Sequence, residues 1–206
     1  MNSLNLSAIS QIVEGTLKGN GNRTIDTLST DSRTLLNAAN TLFFALKTPQ
    51  SDGHKYVEAA YKKGVRAFVV QHEMNELSTA NDATFIVVPN ALDALQKLAS
   101  HKRNSFKGKT IGITGSNGKT IVKECIHELL SPDMATTRSP KSYNSQIGVP
   151  LSVWLANETD QIAIWEAGIS QPNEMCKLEP ILRPEIGIFT NIGEAHQSNF
   201  VSTQQK

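Results

Sequence analysis

The chain is short of several things, and each shortage closes a class of explanation. Its 206 residues hold only two cysteines, Cys125 and Cys176. They form no C-x-x-C pair, and no disulfide framework is suggested. Lysine and arginine exceed aspartate and glutamate by a single charge, so no bulk positive field is available to grip a nucleic-acid backbone. No stretch approaches the roughly 18 consecutive apolar residues that span a bilayer. The opening MNSLNLSAISQIVEG lacks both the basic n-region and the apolar core of a secretory signal. Internal repeats and low-complexity tracts are missing too, as is any G-x-G-x-x-G after a strand, which sets a dinucleotide-binding dehydrogenase aside. No Ser-His-Asp or Cys-His arrangement is evident. The expectation is a reduced, cytoplasmic protein without membrane insertion and without a nucleic-acid partner.

What remains is the alternation of strand and helix patterns. Leu4, Leu6, Ile9, Ile12 and Val13 are spaced for a short amphipathic helix, and GTLKGNGNRT (15–24) reads as turn material. TLFFAL (41–46), RAFVV (66–70) and FIVV (85–88) read as buried strands, with helices over 54–63 and 91–103. From Lys109 the pattern resets. TIGIT (110–114) is a strand, SNGK a turn, and 120–130 a helix with Ile121, Val122, Cys125, Ile126, Leu129 and Leu130 on one side. IAIWEAG (162–168) and IGIFTN (186–191) are further strands, separated by a short helix over 174–178. Strands that alternate with helices and are apolar on both faces predict an α/β fold with parallel sheets. The basic stretch HKRNSFKGK (101–109) marks the expected boundary, giving a small α/β domain over 1–105 and a P-loop-type domain over 106–206. A doubly wound domain ordinarily needs more strands than this second one shows, so it is expected to be truncated.

The chemistry-bearing stretch is GITGSNGKTIVKE (112–124). A strand that runs through a glycine turn into a helix N-terminus converges backbone N–H groups and a helix dipole on phosphate. Gly115 and Gly118 permit the close approach. Lys119 would reach the β- and γ-phosphates, and the Thr120 hydroxyl would ligate magnesium. Yet G-x-x-x-x-G-K-[ST] puts Ile113 where its first glycine belongs, and a lone G-x-x-G-K-T serves a turn as readily as a phosphate.

T-G-S-N-G-K-T resembles the loop of the Mur ligases, ATP-dependent amide-forming enzymes of peptidoglycan precursor synthesis. Their T-G-[TS]-x-G-K-T places its first glycine at Gly115. The resemblance covers nearly the whole chain. STDSR (29–33), TLFFALK (41–47) and DGHKYVEAAYKKGVRAFVV (52–70) resemble the family's substrate-binding domain. SYNSQIGVPLSVW (142–154), IWEAGISQPNEM (164–175) and IGIFTNIGEAHQSNF (186–200) resemble its ATP-binding domain. Departures are mild: Thr48, Val65, Ile121, Ser142, Ser145 and Asn173 replace the usual residues.

The resemblance implies a nucleotide site made by Thr114, Gly115, Ser116, Asn117, Gly118, Lys119 and Thr120. It implies catalytic roles for Lys119, Glu166 and His196, with Thr120, Glu166 and His196 on magnesium. Asp31, Ser32, Arg33 and Asn144 would meet the substrate. ATP would phosphorylate a substrate carboxylate, and an amine would displace phosphate. Within the family the motifs point to the branch that joins D-Ala-D-Ala to UDP-N-acetylmuramoyl-tripeptide, in wording close to a subset fused to an alanine racemase. The family's carbamylated lysine and C-terminal domain fall beyond Lys206, so these residues alone are expected to be inactive. Addition of the third stem-peptide residue, and a nucleotide-binding module without catalysis, stay open as alternatives; a folate-type ligase, whose loop reads G-K-G-S, ranks low.

Overall fold

The computed structural model describes residues 3–35, 37–74, 82–193 and 197–202. The chain divides into two compact units, residues 1–98 and 99–206.

The first unit is organised by a sheet of β2 (Thr16–Lys18), β4 (Thr27–Ser29), β5 (Thr41–Phe44), β6 (Ala67–Val70) and β7 (Thr84–Val87), after a short pair formed by β1 (Leu4–Asn5) and β3 (Thr24–Ile25). The spatial order is β2-β7-β6-β5-β4, with β4 to β7 parallel and β2 antiparallel on the edge. Phe43 lies opposite Phe68, and Phe68 opposite Phe85. Their rings pack edge-on at 6.3 Å and stacked at 5.3 Å, geometries that suit the aromatic quadrupole. On the same side lie Val57 and Ala60 of α2 (Val57–Lys62). Helix α1 (Leu6–Ile12) starts on Asn5, whose side chain accepts the Ala8 N–H, the usual satisfaction of an orphan N-terminal donor. The turn expected over 15–24 instead carries β2 and the first residue of β3, because pairing with β7 recruits the short Thr-Leu-Lys run that no local periodicity announces.

Helix α3 (Ala91–Ser105) leads into the second unit. There β8 (Lys109–Thr114), β9 (Thr136–Arg138), β10 (Ile162–Glu166) and β11 (Ile186–Phe189) form a parallel sheet in the order β11-β8-β10-β9. The alternation along β10 sorts the core. Ala163, Trp165 and Ala167 face the apolar side of α5 (Gly148–Trp154) and α6 (Glu174–Leu182). Ile164 faces the other way with Ile111 and Ile113, against Val122, Ile126 and Leu130 of α4 (Lys119–Leu130). The face of α4 differs from the expected one: Ile121 and Leu129 are 70% and 76% exposed, whereas Lys123 is fully buried. A parallel sheet of this kind opens its ligand crevice at the carboxyl ends of the strands, and β8, the strand before the glycine turn, is central.

Phe43→Ala is expected to lower the stability of the first unit by about 3–5 kcal/mol, the cost of an unfilled aromatic site in a packed core. The check is a shift of that unit's urea midpoint with an unchanged slope.

Candidate functional site

Thr114 ends β8 with its hydroxyl donating to the Ala167 carbonyl at 2.9 Å, which ties the exits of two neighbouring strands. The chain then turns through Gly115 at φ +134° and Gly118 at φ +81° into α4. The two glycines serve different needs. A Cβ on Gly115 would meet Thr190 Oγ1 at 2.1 Å and the Asn191 backbone at 3.0 Å, so the position demands absence of bulk as well as its dihedral. Around Gly118 the space is open, and only the left-handed backbone selects glycine.

The segment after β11 braces the loop. Ser116 N–H donates to the Asn191 carbonyl at 2.8 Å, Asn117 N–H to Asn191 Oδ1 at 3.2 Å, and Gly193 N–H to Ser116 Oγ at 2.9 Å. Thr190 Oγ1 donates to the Asn117 carbonyl at 2.6 Å. Lys119 folds back over the turn and donates to the Gly115 carbonyl at 2.5 Å. The dipole of α4 points its positive end at this turn.

Beside the loop, Thr120 Oγ1 lies 3.1 Å from Glu166 Oε2 and 3.2 Å from Ser142 Oγ. Glu166 is fully buried at the end of β10, its N–H held by Ser139 Oγ at 3.1 Å. Its second oxygen, Oε1, accepts no hydrogen bond. The Lys123 ammonium stands 3.1 Å from it, an ionic contact rather than an aligned bond. Asn144 is half-buried, and its carbonyl accepts the Gly168 N–H at 2.7 Å just past β10. Thr120, Glu166 and Ser142 thus meet beside the turn, and Asn144 stands against Gly168 just past β10. His196 lies outside the described residues. Among the described residues no group of three or more His, Cys, Asp or Glu side chains gathers as a metal site. Glu166 Oε2, with the Thr120 hydroxyl against it and Ser142 Oγ beyond, nonetheless makes an all-oxygen set that suits a hard cation keeping most of its water, such as magnesium.

Lys123, which the sequence offers as part of the Lys123-Glu124 motif of the branch, is the member given no site role there. Its place three residues after Thr120 puts it on the same helical face, one of the few signals available; its complete burial was not legible.

The first unit holds a separate site. Asp31, Ser32 and Arg33 follow β4 and line a cavity of about 490 Å³ with Thr30, Ser51 and Tyr56. Arg33 clasps Asp31 through Nε at 2.9 Å and Nη2 at 2.8 Å, while its side chain stays 85% exposed. Hydrogen bonds from Arg33 hold the Asp31 carboxyl down to about 2. Ser32 is buried, and its carbonyl accepts from Lys63 Nζ at 2.8 Å. Behind this site His54 is locked: Nδ1 faces Asp52 Oδ1 at 2.6 Å and Nε2 accepts the Gln71 N–H at 2.9 Å, the arrangement of a buried structural imidazole.

A depressed carboxylate stabilises the fold above its unfolded value, about 3.9, and that contribution is lost as pH falls through about 2. Because the pair is largely open to water, the amount is small, under about 1 kcal/mol. Arg33→Ala should raise the Asp31 carboxyl titration toward the ordinary aspartate value, as read by carboxyl-carbon NMR.

Two family models match the chain: one described as Mur ligase family, catalytic domain, over residues 24–103, and one described as Mur ligase middle domain, over residues 113–205. The UDP-N-acetylmuramoyl-tripeptide–D-alanyl-D-alanine ligase of Borreliella burgdorferi is 36% identical over 189 residues, which cover 88% of this chain and 41% of that protein. The protein of the same name from Bacillus subtilis is 34% identical over 198 residues, 95% of this chain and 42% of that one. MurF from Acinetobacter baumannii superposes with a TM-score of 0.89 at 25% identity, over 100% of this chain and 44% of that structure. MurF from Thermotoga maritima, solved in complex with ADP, gives 0.73 at 27% identity, over 87% of this chain and 40% of that structure. The chain therefore spans about two fifths of the length of the relatives it matches. Matched along both of its halves in sequence and along its whole length in structure, it belongs to the Mur ligase family and carries the N-terminal and middle domains of such an enzyme.

Proposed function

We propose that these residues are the first two domains of a cytoplasmic ligase that joins D-Ala-D-Ala to UDP-N-acetylmuramoyl-tripeptide at the expense of ATP. Residues 1–105 would hold the UDP end of the substrate and residues 106–206 the nucleotide. The observation that carries this reading is the meeting of Thr120 with buried Glu166 beside a glycine turn that admits no side chain at Gly115. A turn that served folding alone would gain little from a carboxylate buried at its mouth, since desolvation offsets the ion pair Glu166 makes with Lys123 at 3.1 Å.

In this reading the backbone N–H groups at the start of α4 hold the phosphates, aided by the helix dipole. Lys119 leaves the Gly115 carbonyl and pairs with the γ-phosphoryl oxygens, where negative charge is carried during transfer. A substrate carboxylate oxygen bonds to the γ-phosphorus as the bond to ADP breaks, leaving an acyl phosphate. The amine nitrogen then bonds to the acyl carbon, inorganic phosphate departs with the electron pair of the broken acyl–oxygen bond, and the nitrogen's proton passes to water. Magnesium, held by Thr120, Glu166 and His196, would neutralise phosphate charge when bound. Asn144 and the Asp31–Arg33 pair orient the acceptor substrate; Arg33, with its exposed guanidinium, is the group suited to a diphosphate.

The deciding experiment assays the full-length polypeptide for phosphate release and amide formation with UDP-N-acetylmuramoyl-tripeptide while the amine is varied. Turnover that depends on D-Ala-D-Ala supports the reading. Turnover only with a diamino acid and the dipeptide substrate would assign the preceding step, and ADP binding without ligation would leave a nucleotide-binding module. Lys119→Ala should lower kcat about a hundredfold or more, the usual loss when one preorganised charge donor is removed, with folding retained by circular dichroism. Residues 1–206 assayed by themselves should form no amide.

A further inference from the structure

Lys123 has no seat in the phosphate turn, yet its ammonium is fully buried. An ammonium is removed from water only where oxygens replace its hydration. Here the Ser139 carbonyl accepts at 2.8 Å and the Lys141 carbonyl at 2.5 Å, with Glu124 Oε1 at 3.0 Å and Glu166 Oε1 at 3.1 Å. The surrounding chain is shaped to supply them. Lys141 sits at φ +49°, a conformation non-glycine residues seldom take, and its carbonyl is one of the acceptors. Ser139, whose carbonyl is the other acceptor of that segment, also accepts the Glu166 N–H at its hydroxyl oxygen. Ser142, next after Lys141, reaches Thr120.

We propose that Lys123 is the positioning residue of the cation corner. By standing at Glu166 Oε1 and gripping the 139–141 segment, it turns Oε2 toward Thr120 and brings Ser142 alongside. This rests on the reading of Glu166 as a magnesium ligand. The alternative is a lysine that merely ties α4 to the loop after β9.

A double-substitution cycle on the full-length chain separates the two. ADP affinity is measured by calorimetry, with excess magnesium and with a chelator, in wild type, Lys123→Met, Glu166→Gln and the double variant. Lys123→Met is expected to lower the ratio of magnesium to chelator affinity about tenfold, the usual effect of losing a ligand's supporting partner. Its chelator affinity should hold within about threefold, and in the Glu166→Gln background the same change should move the ratio less than about twofold. Without magnesium, Lys123→Met should melt below the double variant, since only the single change strands a buried charge. Equal losses with and without magnesium, or an undiminished effect in the Glu166→Gln background, would overturn the proposal and leave a structural tie. If Lys123→Met does not fold, a double variant whose affinity ratio differs from that of Glu166→Gln overturns it as well. A wild-type affinity indifferent to magnesium, or a ratio unchanged by Glu166→Gln, would instead sink the ligand reading and this inference with it.

Discussion

The second unit is built around two opposite charges that water does not reach. Lys123 and Glu166 are both fully buried, at 3.1 Å. Such a pair contributes little net stability, because desolvation offsets its attraction. What it imposes is geometry. The lysine leaves α4, the carboxylate ends β10, and the carbonyls that complete the ammonium's shell come from the segment after β9. Three separate stretches must therefore arrive together, and they do so at the carboxyl ends of the strands, where an α/β sheet receives its ligands.

That constraint also explains what sequence reading could and could not see. Three of the four described strands of the second unit were legible from their apolar runs, and the alternation along β10 matches the two core layers, whereas β9, the polar Thr136–Arg138, gave no such signal. The turn was legible as strand, glycines and helix. The orientation of α4 was not. Hydrophobicity favoured a side containing Ile121 and Leu129, but the helix turns those to solvent, since the oxygens that surround Lys123 outweigh the burial of two apolar side chains. A rule that places lysine outside fails where a buried carboxylate and backbone carbonyls await it. In the first unit, β2 was missed for a related reason: three residues beside a glycine-rich turn become a strand only through their partner β7, information that lies some seventy positions away in the chain and in no local pattern.

The Asp31–Arg33 clasp shows the opposite economy. Its partners are two residues apart, with Arg33 exposed and Asp31 half-buried, so little of the fold depends on them. A guanidinium held by one carboxylate in a wide cavity can change partner without disturbing a core. The corner around Glu166 has no such freedom.

The hold of Asn191 on the turn carries a different consequence. Its backbone carbonyl and side-chain oxygen accept from Ser116 and Asn117, and Gly115 leaves just enough room for that approach. Oxygens of the protein's own chain thus hold this bend in shape. The entropy of ordering the bend is lost during folding and not during association. A ligand that met this turn as proposed would exchange acceptors at a surface already ordered by the fold, with no further loop ordering to oppose it.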